Sequence, residues 1–180
     1  MKLYILCNFS SIHPTVFSSP LDATGLENAD NIVEDLEKID INQIICSPFL
    51  KCMQTIYPFC IKNIRKINLE FSFHGTCNPL DNIYSFHHFG YSYVEKIVNI
   101  RYQSKLLSSN MHKNENSNDI RHRIFPFLYN LYNRYKMSKE RILIITHQNI
   151  QEYILKFFNT FPKCKTSITQ PFIEINIKEN

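Results

Sequence analysis

Glycine is nearly missing from this chain of 180 residues; Gly25, Gly75 and Gly90 are all there are. Loops that cradle phosphate with backbone amides need several glycines close together, so Walker-type and dinucleotide-type loops are excluded. A strong charge of one sign is lacking too. The 20 basic and 16 acidic side chains leave +4, too mild a balance to argue for a nucleic-acid partner. No apolar run approaches a membrane span, and Leu3–Leu6 is too short for the core of a secretory signal. The six cysteines, Cys7, Cys46, Cys52, Cys60, Cys77 and Cys164, form no Cys-x-x-Cys pair. The expectation is free thiols in a reducing, cytoplasmic setting with no membrane contact.

What is present suffices for a core. Of the residues, 44% are hydrophobic and 13% aromatic, which excludes global disorder and suits one domain spanning 1–180. Met1–Leu6, Gln43–Cys46, Lys66–Phe71, Arg141–Thr146 and Phe172–Lys178 read as strands. Between them, Thr24 and Glu27 form a capping box for a helix through Lys38, with Leu26, Ala29, Val33 and Leu36 on its apolar side. Ser47 as cap and Pro48 at the first position open the next helix, which Pro58 should end or kink. Further helices are expected near Tyr93–Leu107, from Asp119 as cap through Tyr135, and near Ile150–Phe158. Strands alternating with helices predict an α/β three-layer sandwich, a mostly parallel sheet with helices on both faces. Residues 75–118 read as an irregular insertion.

In such sheets ligands sit beyond the carboxyl ends of the strands. The residues there are Cys7-Asn8-Phe9, Ser47 to Lys51, and His147-Gln148. Here the sequence resembles the histidine phosphatase superfamily, of phosphoglycerate mutase-like fold. Ile45 to Thr55 is similar to its SSPxxRxxQT segment. Ile142–Thr146 with His147 resembles its strand and second histidine, and Pro20 to Ala29 resembles its PLTxxGxxQA helix start. Lys66–Glu70 matches the strand before its acidic residue. The resemblance implies attack on phosphorus by a histidine ending strand one, with arginines and a second histidine holding the oxygens and a carboxylic acid protonating the leaving group.

The chain departs from that pattern at the chemical positions. Asn8 stands at the nucleophile, and a carboxamide nitrogen is neither basic nor nucleophilic. Cys7 replaces one arginine, Phe9 replaces a glycine, and Lys51 keeps the second arginine's charge without its fork. Gly75 falls about where the proton donor belongs. His147 is retained. The reading is therefore a catalytically inactive or strongly impaired relative, whose pocket of Asn8, Lys51 and His147 is left to bind an anion or a partner. That partner is expected to be a phosphate-bearing small molecule or a protein. Two alternatives stand beside it: a phosphomonoesterase that recruits His147 or His13, and an interaction protein acting through 75–118. Cys7 lacks the amide-rich loop and arginine of cysteine phosphatases. His74, His87 and His88 have no metal-site spacing, so neither metal nor cofactor is expected. Arg121 and Arg123 read as solvent-exposed helical arginines.

Overall fold

Leu3, Tyr4, Ile5 and Leu6 are all buried, as are Ile142 through Ile145. Strands apolar on both sides must be covered on both sides, and the computed structural model shows them so. It describes residues 1–13, 15–75, 92–106, 115–161, 164–169 and 171–177. The strands are β1 (Lys2–Cys7), β2 (Gln43–Cys46), β3 (Asn68–Leu69), β4 (Arg141–Thr146), β5 (Cys164–Thr169) and β6 (Phe172–Ile177). They form one sheet in the order β3-β2-β4-β1-β6-β5. The first four run parallel, and β6 pairs antiparallel with both β1 and β5.

The helices are α1 (Ala23–Asn31), α2 (Val33–Glu37), α3 (Leu50–Lys62), α4 (Ser117–Tyr135) and α5 (Gln148–Asn159). Alternate strand residues feed two cores. Tyr4, Leu6, Ile44, Leu143 and Ile145 pack with Leu36, Met53 and Ile56 of α2 and α3. Leu3, Ile5, Ile45, Ile142 and Ile144 pack with Ile124, Leu128, Ile154 and Phe158 of α4 and α5. This is the three-layer sandwich the alternation of elements predicts. No described helix is long and apolar enough to cross a membrane.

Several local expectations are corrected. Asp22, not Thr24, caps α1 by accepting from the Gly25 amide at 2.8 Å. The helix expected through Lys38 is two, α1 and α2, and Leu26 faces solvent. Pro58 does not end α3, which continues to Lys62. Asn116, not Asp119, caps α4; Asp119 supplies the reciprocal bond of the capping box. Pro126 is accommodated because it lies on the exposed side of α4. There the carbonyl left without its helical partner can be solvated. The strand over Lys66–Phe71 shrinks to two residues followed by a 3-10 turn, Phe71–Phe73. Most of the 75–118 insertion, with His87 and His88, falls outside the described residues. Its longest described part, 92–106, carries a 3-10 helix, Ser92–Ile97, instead of the expected α-helix. Val94 and Ile97 of this segment enter the core. Residues 117–118 belong to α4.

Candidate functional site

β1 and β4 are neighbours, with Cys7 opposite Thr146, so their carboxyl ends deliver Asn8 and His147 side by side. The Asn8 amide donates to Thr146 O at 2.8 Å. Lys51 arrives from the first turn of α3. A cleft of about 780 Å³ opens there, lined by Asn8, Lys51 and His147 together with Cys7, Phe9 and Gln148. The three residues singled out from the sequence thus face one space.

The motif around them is fixed by buried hydrogen bonds. Thr55 Oγ1 donates to Lys51 O at 2.8 Å and accepts from the Phe9 amide at 3.3 Å, tying α3 to the loop after β1. Gln54 accepts from the Leu21 amide at 2.8 Å and donates to Tyr93 Oη at 2.6 Å. Gly25 is required where α1 meets this loop, because a Cβ there would lie 2.1 Å from Ser10 O. Asp22 adds a short hydrogen bond from Ser10 Oγ. The loop that carries Asn8 is therefore braced from α1 and α3.

His147 is 7% exposed. Its Nε2 lies 3.0 Å from Ser47 Oγ and 3.6 Å from Cys52 Sγ, and its ring meets Phe49 edge-on at 4.6 Å. Ser47 therefore serves His147 rather than capping α3, whose N-cap is Phe49. Burial, aided by the charges of Lys51, His74 and Arg123, holds the His147 pKa well below 6.5. At neutral pH the ring is uncharged, one nitrogen donor and the other acceptor. Lys51 is 2% exposed, with Nζ 5.4 Å from the centre of the Phe49 ring. Among the described residues that line the cleft it is the one carrying a full charge. Asn8 Nδ2 donates to Phe9 O at 2.9 Å, so its amide is turned onto its own loop.

Cys7 lines the cleft as a thiol. Burial pushes its pKa up to about 11, and that of Cys52 up to about 12, so neither is a ready nucleophile. The described cysteines, Cys7, Cys46, Cys52, Cys60 and Cys164, are unpaired. His13 does not line the cleft; its amide is held by Ser19 Oγ at 2.8 Å. No carboxylate lines the cleft among the described residues.

Gly75, at the expected donor position, lies flat against His147; a Cβ there would come within 2.9 Å of the ring. Among the described residues the acid in this neighbourhood is Glu115, which the sequence reading missed. It accepts from Arg123 Nε at 2.6 Å, makes a short second bond with Arg123 Nη2, and lies 3.6 Å from His74 Nε2. Arg123 Nη1 also donates to Ser72 O at 2.5 Å, and His74 Nδ1 lies 2.8 Å from Gly75 O. Arg123 is thus buried rather than exposed, while Arg121 is exposed as expected. The signal was available: Arg123 falls at helical spacing between Ile120, Ile124 and Phe127, on the buried stripe of α4. Nothing marked Glu115.

No family model and no curated protein matches the sequence. Solved structures resemble the fold. The ecdysone phosphate phosphatase of Bombix mori, in complex with tungstate, aligns with a TM-score of 0.69 at 12% identity, covering 94% of this chain and 81% of its own. The alpha-ribazole phosphatase of Shigella flexneri gives 0.62 at 15% identity over 98% and 95%. The mycobacterial glucosyl-3-phosphoglycerate phosphatase gives 0.60 at 12% over 89% and 80%. The fold is the phosphoglycerate mutase-like one that the sequence resemblance implies. Identities this low establish the fold and leave the chemistry to the site.

Proposed function

We propose that this chain is a histidine-phosphatase-like protein that has lost the phosphohistidine reaction and keeps an anion-binding cleft. The observation that carries the reading is the end of β1. There Asn8 offers a carboxamide, bonded back to Phe9 O, where the reaction needs a basic ring nitrogen in line with phosphorus. The lack of a carboxylate among the described lining residues reinforces it. Lys51 and the hydrogen-bonding groups of Asn8 and His147 line a cleft with no carboxylate among the described residues, which suits a phosphate group on a small molecule or on a protein partner. Catalysis by His147 is disfavoured by its Nε2 contacts with Ser47 and Cys52, and His13 does not line the cleft.

The purified protein is expected to show no turnover of p-nitrophenyl phosphate above buffer and no acid-labile phosphoenzyme. It is expected to bind inorganic phosphate or tungstate by calorimetry. Lys51→Met should weaken that binding roughly 10- to 100-fold, the worth of a charged hydrogen bond. Robust turnover abolished by His147→Ala would overturn the loss of catalysis. Binding unchanged in Lys51→Met would overturn the assignment of the cleft.

A further inference from the structure

A second cavity, of about 520 Å³, lies over the starts of β2 and β3, toward the opposite end of the sheet from the cleft. That size is in the range of small-molecule sites. Its floor is apolar, formed by the buried Ile45, Phe127 and Leu131. Its rim carries Arg101, Lys105 and Arg134, all exposed. Among the described residues, none of the three makes an ion pair and none that lines the cavity is acidic.

An acid beside this wall is already engaged. Glu70 is completely buried and accepts from Tyr102 Oη at 2.6 Å, Ser104 Oγ at 2.7 Å, the Ser72 amide at 3.0 Å and the Lys105 amide at 3.3 Å. Those bonds hold the 101–105 segment in place as one wall. The facing wall is held as well: Gln43 Nε2 donates to Tyr135 Oη at 2.9 Å, and Arg134 lies 5.2 Å over the Tyr135 ring. A cavity whose aromatic walls are fixed beforehand loses little entropy when filled.

We infer that this cavity binds a small organic anion with a flat apolar body. The body rests on Ile45, Phe127 and Leu131 between the rings of Tyr102 and Tyr135, and the anionic group lies among Arg101, Lys105 and Arg134. An apolar floor under an unbalanced cationic rim fits that combination. A bare inorganic ion would leave the floor unused, and a neutral apolar molecule would leave three cations unanswered. Lys51 and His147 line the other cleft and take no part.

The test is fluorescence titration with 8-anilinonaphthalene-1-sulfonate, an aromatic anion, on the full chain. Saturable binding is expected, weakened tenfold or more in the double variant Arg101→Gln, Arg134→Gln and unchanged in Lys51→Gln. The uncharged N-phenyl-1-naphthylamine should bind at least tenfold more weakly than the sulfonate. Both arginines are exposed, and an unchanged circular dichroism melt checks that the double variant folds. No saturable binding, equal affinity of the neutral analogue, or a double variant that binds as the parent does would each overturn the assignment. So would a loss that Lys51→Gln reproduces.

Discussion

The cleft and the buried cluster beside Gly75 draw on the same residue types, a histidine and a strong base, and use them in opposite ways. Lys51 and His147 line the cleft, with no acid among its described lining residues. In the cluster, Arg123 and His74 close around Glu115, and Arg123 also holds Ser72 O. An arginine, a histidine and a carboxylate are the groups phosphoryl transfer calls for. This chain has all three close to His147, but they hold the 72–75 segment to α4 and do not line the cleft. The presence of the right side chains near a pocket is therefore not evidence of catalysis. Their partners decide.

The comparison can be broken most forcefully at Glu115. Glu115→Ala leaves Arg123 buried without its carboxylate and is expected to cost about 3–5 kcal/mol of stability in urea denaturation. Lys51→Met, in the cleft, should cost clearly less while abolishing most anion binding. Equal losses of stability would mean that the two sites do not differ in kind. A smaller effect is expected where the regions touch. Gly75→Ala drives a methyl group against the His147 ring, an overpacking cost of about 1–3 kcal/mol, with a shift of the His147 ring signals by NMR. No shift would place that contact elsewhere.

The smallest effect concerns protons. Burial lowers the His147 pKa in the folded protein, so the unfolded chain binds the proton first as pH falls. The stabilisation from keeping this ring neutral is complete above about pH 6.5. It is lost as pH falls below that value, at no more than about 1.4 kcal/mol per pH unit for one proton. The decline in melting temperature from pH 7 to pH 5 should be shallower in His147→Gln than in the parent. Parallel curves would show that His147 does not titrate in this way.

What could be read before folding followed burial. β1, β2 and β4 were legible because both faces are covered and their residues are apolar throughout. β5 was not, because Lys165, Thr166, Ser167 and Ile168 are exposed on an edge strand and leave no hydrophobic pattern. The Tyr93–Leu107 helix was misread because Val94 and Ile97 satisfy the core from a 3-10 segment. Asn8, Lys51 and His147 were found from short motifs at strand ends. The sequence context of Ser47 is that of a cap, and only the approach of β4 gives it His147 as partner.

By itself the sequence determined the layering and the inertness of Asn8, the residue that follows β1. Hydrophobic alternation dictates which faces must be covered, and a carboxamide is not a base in any fold. Tertiary structure alone decided that Glu115, forty residues beyond Gly75, reaches the neighbourhood of His147 and is engaged there by Arg123 and His74. It alone also gathered Arg101, Lys105 and Arg134 over one apolar floor. Charges separated along the chain acquire partners, or are left without them, only when packing fixes the distances between them.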